Sequence, residues 1–468
     1  MMLAIQTANP PQSTYIFRGA IFILVFSNFL AISGSSYAQS TGLNPKKNIS
    51  QYIIDAWTVE DGLTTNSIQD CELGPDGYLW FATYDGLVRF DGISFKSYDN
   101  NYDPAFSTNS ILALFKDSVG MWIGTNGGGL ILKQGERFIR FDPGERLQGG
   151  VITDMESSRG GGLWLGSRGG LVHFKDSTFT PLQHPLLGVA YIYDLATDAQ
   201  GNLWVATAGE GVFYQDGEDW RQLTMDDGLP SNSVRALYPT PEGTLWIGTV
   251  EGAVPYWGGK LGEAVQLQDG LPSNTVNCFL RDRQGNFWIG TDEGLVRYQE
   301  STGAMEVLDG SGGLSHNTIE AILEDPEGNL WLGTYRGGIN RIKDGKFFNY
   351  GMPEGFPNDV VNVTYADGGV VWIGTDNGLV KYQEEQLTTY SLGEGPDVNR
   401  IRDIFRDSQG RLWLCSYLGL LQFDGGRVVA SYSTDNGLSN NRTRTALEDG
   451  KGNIWVGTAN GLNQIGPD

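Results

Sequence analysis

Apolar and polar residues along this chain alternate in short runs, the period-two signature of strands, with no sustained three-to-four spacing that would predict helices. One stretch shows the unit in full. Thr275-Val276-Asn277-Cys278-Phe279-Leu280 alternates and is rich in β-formers, so it predicts a first strand. Asp282-Arg283-Gln284-Gly285-Asn286 predicts a hairpin turn, because Asp bonds the backbone ahead of it and Gly accepts positive φ. Phe287-Trp288-Ile289-Gly290-Thr291 is a second strand. Thr291-Asp292-Glu293-Gly294 turns the chain into a third, Leu295-Val296-Arg297-Tyr298, and residues 305–308 supply a fourth.

The same unit recurs at Trp80, Trp122, Trp164, Trp204, Trp246, Trp288, Trp331, Trp372, Trp413 and Trp455. Spacings run from 40 residues (Trp164 to Trp204) to 43 (Trp288 to Trp331). Four antiparallel strands repeated at this period predict an all-β propeller of ten blades over residues 51–468. A blade cannot bury both faces alone, so the repeated Trp is read as a wedge between neighbours. The last unit stops after its third strand, whereas Gln51-Tyr52-Ile53-Ile54-Asp55-Ala56-Trp57 reads as an orphan fourth strand. Pairing the two predicts a single ten-bladed ring sealed by the N-terminal strand. The alternative, a seven-bladed ring with three blades left over, would expose sheet edges and apolar faces.

Composition agrees with this picture. The chain has 66 Gly among 468 residues yet 12% aromatics, which fits many short strands joined by tight turns around a real core. A formal net charge of −23, with no basic stripe, argues against nucleic acid as a partner. Residues 1–38 read as a signal peptide: Arg18, an apolar run over 20–32, then Ser33-Gly34-Ser35-Ser36-Tyr37-Ala38 with a cut expected after Ala38. Residues 39–50 read as a short linker. A periplasmic or secreted protein without a membrane span after signal removal follows. Cys71, Cys278 and Cys415 cannot all pair, and they are read as buried, inert thiols.

The connectors repeat Asp-Gly-Leu-x-x-Asn, as in Asp61-Gly62-Leu63-Thr64-Thr65-Asn66, Asp227-Gly228-Leu229-Pro230-Ser231-Asn232 and Asp269-Gly270-Leu271-Pro272-Ser273-Asn274. Together with Asp-x-x-Gly-Asn-Leu-Trp-Ile-Gly-Thr-x-x-Gly-Leu, this pattern resembles the two-component regulator propeller repeat, over roughly residues 51–466. The resemblance implies the sensor ectodomain of a hybrid two-component system of Bacteroidetes type, facing the periplasm and responding to polysaccharide breakdown products. The sequence departs from that pattern: it has fewer repeats than the long members, no following β-sandwich, no second transmembrane helix and no kinase or receiver domain.

Chemistry is sparse. His173, His184 and His316 fall in different units at no metal-ligand spacing, and no nucleophile elbow or phosphate loop stands out. The Asp-x-x-Gly-Asn turns at Asp198, Asp282 and Asp325 lack the further ligands of a calcium loop. No catalytic residue, cofactor or metal is expected. Function is placed on the loop face shared by the connectors and the turns after the second strands. The candidate ligand-binding residues there are Tyr84, Asp85, Asn126, Arg168, Glu210, Glu251, Asp292, Glu293, Tyr335, Arg336, Asp376 and Tyr417, a mixture suited to a polyhydroxylated ligand. The connector Asn residues, Asn66, Asn232, Asn274 and Asn317, are read instead as local braces. The expected function is an exported sensor propeller that recognises an oligosaccharide or a periplasmic or membrane signalling protein. The alternatives are an exported glycan hydrolase or lyase using loop carboxylates, and a fragment of a hybrid histidine kinase sensor.

Overall fold

The computed structural model describes residues 42–467 apart from 218 and 385. The signal-peptide reading of residues 1–38 lies outside them. The described residues hold ten antiparallel sheets centred on the ten repeated tryptophans, nine of four strands and one of three. In each, an inner strand leads by a hairpin into the Trp strand, as Val276–Arg281 leads into Phe287–Thr291.

The hairpins explain why the Trp is fixed so firmly. The carboxylate of Asp282 accepts the turn N–H groups of Gln284 and Asn286 through Oδ1, and the indole N–H of Trp288 through Oδ2 at 2.9 Å. Asp198, Asp325, Asp407 and Asp449 do the same for Trp204, Trp331, Trp413 and Trp455. A buried indole N–H left without a partner is costly, so each Asp both shapes its turn and satisfies its Trp. The fifth sheet has Thr240 in place of the Asp, and Trp246 turns to Glu300 of the next sheet instead.

Seven sheets close into a ring. The inner strands pack in sequence from Ile68–Leu73 to Ile319–Glu324, and the first packs back against the seventh. Ile68, Cys71 and Phe81 of the first sheet share one core with Ala321, Trp331 and Ile339 of the seventh. The seal is the N-terminal strand, but its partner is not the last sheet. Ile53–Trp57 pairs with Ile339–Lys343, from Ile53 opposite Lys343 to Trp57 opposite Ile339. Three interactions fix this choice: Trp57 stacks on Trp331, Asp55 bonds Arg341 at 2.6 Å, and Asp55 bonds Lys343 at 2.8 Å. The expected ten-bladed ring is therefore corrected to seven blades. Residues 42–50, expected to be a linker, are also packed in. Leu43 and Ile49 are buried against Trp288, and the buried ammonium of Lys47 reaches Asp344 and the carbonyls of Gly345 and Phe347. Those bonds tie the chain leaving the seventh sheet to the N-terminal segment, with Gly345 beside Ile53.

The remaining three sheets, centred on Trp372, Trp413 and Trp455, pack on one another in series. They show the exposure expected of blades outside a closed ring: Val360 and Val361 are half exposed at one end, and Leu447 and Leu462 are 56% and 65% exposed at the other. Cys71 and Cys415 are buried, Cys278 is half-buried, and all three are free thiols.

Candidate functional site

The inner strands build the site. In six of the seven ring sheets the ladder slips by one residue near the start of this strand, for example between Val276 and Cys278 opposite Thr291 and Gly290. Such a bulge leaves one residue unpaired and re-aims its side chain. The residues so released are Gln69, Leu112, Tyr193, Arg235, Asn277 and Glu320. All six, with Thr153 of the third sheet, line one channel of about 280 Å³ to which every inner strand contributes.

Deeper in the channel, Asp70, Asp154 and Asp194 serve a structural purpose. Each accepts the backbone N–H of the next sheet's inner strand: Leu114 at 2.7 Å, Leu195 at 2.7 Å and Leu237 at 2.6 Å. The N–H of Leu195 lies between Oδ2 of Asp154 and Oδ1 of Asp194. Burial raises all three carboxyls against the pull of these donors, to about 7 for Asp70 and about 6 for Asp194. Burial, with the Asp194 charge beside it, pushes Asp154 well above the carboxylate range.

The turns after the Trp strands form the rim. Thr83 donates from Oγ1 to the Gly86 carbonyl at 2.7 Å and accepts the N–H of Asp85, and Thr249, Thr291 and Thr375 lock their turns in the same way. This lock sends the first and second turn residues in different directions. First-position residues meet the channel side chains. Asp292 accepts from Asn277 at 2.9 Å, and Arg168 lies 5.9 Å over the ring of Tyr191, which packs on Tyr193, itself under Arg235. Burial, with Glu320 and Tyr335 close by, raises the phenol of Tyr84. Burial likewise raises Glu320, with the guanidinium of Arg235 opposing it.

Second-position residues turn outward to the connectors instead. Asp85, Glu251 and Glu293 each accept from a connector Asn, namely Asn109, Asn274 and Asn317. Asn66, Asn232, Asn274 and Asn317 each also accept a backbone N–H seven residues earlier at 2.8 Å, which is the bracing geometry. The backbone carbonyl of Glu210 is held by Gln222, and Asn126 is tied into a backbone bridge with Val151. Arg336 lies over the ring of its neighbour Tyr335.

Of the residues singled out by sequence, Tyr84, Arg168, Asp292 and Tyr335 thus converge on the ring mouth. Asp85, Glu251 and Glu293 serve the rim. Asp376 and Tyr417 belong to the eighth and ninth sheets and meet none of the others. Tyr191, Tyr193, Arg235, Asn277 and Glu320 complete the mouth and escaped sequence reasoning. For Tyr193, Arg235, Asn277 and Glu320 the signal was a polar residue directly after the Ile or Val that opens the inner strand.

Larger clefts exist. One of about 620 Å³ is lined by Arg281, Arg297, Glu300 and Glu306, but its charges are already paired as Arg281–Glu300 and Arg297–Glu306. Another of about 840 Å³ runs between the N-terminal segment, at Asn44 and Gln51, and Tyr382 and Leu387 of the eighth sheet. Among the described residues no cluster of His, Cys, Asp and Glu has metal-binding geometry, and no helix is long and apolar enough to cross a membrane.

The family model of the two-component regulator propeller matches residues 105–127, 186–209, 228–251, 270–293, 313–336, 395–417 and 437–460. Each match runs from a connector through the inner and Trp strands to the turn that forms the rim. These are two-component regulator propeller repeats. A histidine kinase of Formosa agariphila is 36% identical to the chain over 87 residues, 19% of this chain and 6% of the kinase. Among solved structures, an extracellular domain ascribed to a hybrid two-component system of B. thetaiotaomicron aligns with a TM-score of 0.64 at 22% identity. The alignment covers 89% of this chain and 65% of that domain. A streptogramin B lyase aligns with a TM-score of 0.51 at 12% identity, covering 63% of this chain and 98% of the lyase. At these identities the structures share the propeller fold with this chain.

Proposed function

We propose that the chain is an extracellular sensing propeller that binds a carbohydrate fragment at the mouth of its seven-bladed ring and passes the signal to a periplasmic or membrane partner. One observation carries this reading: phenols and guanidiniums (Tyr84, Tyr191, Tyr193, Tyr335, Arg168, Arg235) gather with Asn277, Asp292 and Glu320 in and over the mouth of one polar channel. Aromatic faces cover the apolar side of a sugar ring, while the amide, carboxylates and guanidiniums address its hydroxyls. The kinship of the repeats with two-component regulators, and the extracellular setting of the similar domains, support the sensing role.

Three of the channel carboxylates, Asp70, Asp154 and Asp194, are committed to backbone donors of neighbouring sheets, which favours binding over hydrolysis. A thermal-shift screen of the purified protein against neutral and acidic oligosaccharides tests the reading. One class that raises the melting temperature with concentration, and is recovered intact, supports it; recovery of cleaved product replaces it with a glycan-active enzyme.

A further inference from the structure

Sheets eight to ten repeat the architecture of the mouth with a different composition. Their bulges release Asn362, Arg402 and Arg444, at the positions that carry Asn277 and Arg235 in the ring. Tyr417 occupies the first position of its turn, as Tyr84 and Tyr335 do. Three guanidiniums gather on this one phenol: Arg400, Arg402 and Arg442 lie 5.2, 5.0 and 5.5 Å from its ring centroid.

The charge balance there is unusual for this chain. With 55 acidic residues against 32 basic ones, a guanidinium ordinarily has a carboxylate at hand. Yet only Arg400 pairs with one, Asp376, at 3.4 Å, and its Nε is buried without a hydrogen-bond partner. Arg402 spends its two terminal nitrogens on neutral oxygens, Oδ1 of Asn362 and the hydroxyl of Tyr417, both at 2.8 Å. Arg442 is exposed and pairs with no carboxylate among the described residues. Like charges held together without counter-ions repel one another, so the cluster is poised to gain from an arriving anion. The guanidiniums also lie against the Tyr417 ring, where they compete with a neutral sugar for its aromatic face.

We propose that Arg400, Arg402 and Arg442, gathered on Tyr417, form a second binding site, separate from the ring mouth, that takes a sulfate or carboxylate oxyanion. Arg402 and Arg442 are the primary ligands, since their guanidinium forks match a planar or tetrahedral oxyanion and neither holds a charged partner. Arg402 exchanges its bond to the Tyr417 hydroxyl for one to the incoming anion. Donation from Arg402 lowers the Tyr417 phenol, the direction expected of a cluster that favours negative charge on oxygen. Asn362 positions Arg402, and Asp376 anchors Arg400 at the back of the site.

Isothermal titration of the purified protein with glucose 6-sulfate, glucuronate, glucose and sodium sulfate, at constant ionic strength, tests this. Both charged sugars are expected to bind and glucose is not, with affinity falling as salt is raised. Binding of glucuronate alone or of glucose 6-sulfate alone assigns the site to that group, and equal binding of sodium sulfate assigns it to the free anion. Each of these upholds an oxyanion site. The double change Arg402→Gln and Arg442→Gln should weaken binding by about tenfold or more, because each removes a charge-assisted bond. Arg442→Gln alone, at an exposed position, should weaken it with no change in melting temperature. Arg168→Gln, at the ring mouth, should leave it unchanged. Failure of both charged sugars and sulfate to bind, equal binding of glucose, undiminished binding in the double variant, or loss in Arg168→Gln would overturn the proposal. Because Arg168 belongs to the mouth, failure here leaves the ring-mouth reading standing.

Discussion

The indole of Trp57 stacks on that of Trp331, with ring centroids 5.3 Å apart and planes inclined by 22°. One residue lies in the strand near the start of the described chain and the other in the seventh sheet, so this contact is the seal of the ring. Trp57→Ala should cost roughly 2–3 kcal/mol, below the full penalty for a buried Trp because Trp57 is half-exposed. Denaturant unfolding checks the cost. The same variant should expose the edge of Ile339–Lys343, seen as faster amide exchange there and in Ile68–Leu73, with little change in Thr443–Glu448.

The hairpin aspartates predict unequal costs for the same substitution. Asp282→Ala unpairs the buried Trp288 indole and leaves the buried Asn286 amide only its bond to the Leu43 carbonyl, and should cost about 2 kcal/mol or more. Asp367→Ala in the eighth sheet should cost under about 1 kcal/mol. There the carboxylate pairs with Arg406 near the surface, and the Trp372 N–H has no hydrogen-bond partner to lose. Urea midpoints of the two variants decide the matter.

The channel carboxyls make stability depend on pH. Their folded pKa values are raised, so the folded protein holds protons that the unfolded chain gives up. Their contribution is complete below the ordinary carboxylate range and is lost as pH rises through about 6 for Asp194 and about 7 for Asp70. The denaturation midpoint should therefore fall between pH 5 and pH 8. Asp154→Asn keeps an acceptor for the Leu195 N–H while removing a charge from the pair, and it should flatten that slope. An unchanged slope would mean that the buried carboxyls are already ionised at pH 5.

Much of the fold was legible in the sequence. Tryptophan spacing was enough to read ten sheets because seven of the ten Trp are tied to their hairpins by a local Asp, a relation that sequence neighbours carry by themselves. The partner of Ile53–Trp57 was not legible in that way. Two sheets lacked a fourth strand, and the choice between them rests on Trp57 with Trp331 and on Asp55 with Arg341 and Lys343, contacts between residues remote in sequence. For the site, turn position alone did not show which of two adjacent residues faces the channel. Tyr84 and Asp85 look equivalent in the sequence; the Thr83 lock and the connector Asn109 separate them. Tyr193, Arg235, Asn277 and Glu320 were hidden because a bulge, not the strand period, aims them inward.

The central claim is that the ring mouth is a carbohydrate-binding site. Titration calorimetry of the protein with the oligosaccharide class that stabilises it, alongside Tyr335→Ala and Arg168→Ala, tests it most directly. The account predicts one saturable site, weakened at least about tenfold in each variant with the melting temperature of the free protein unchanged. Wild-type affinity retained in both variants would contradict it.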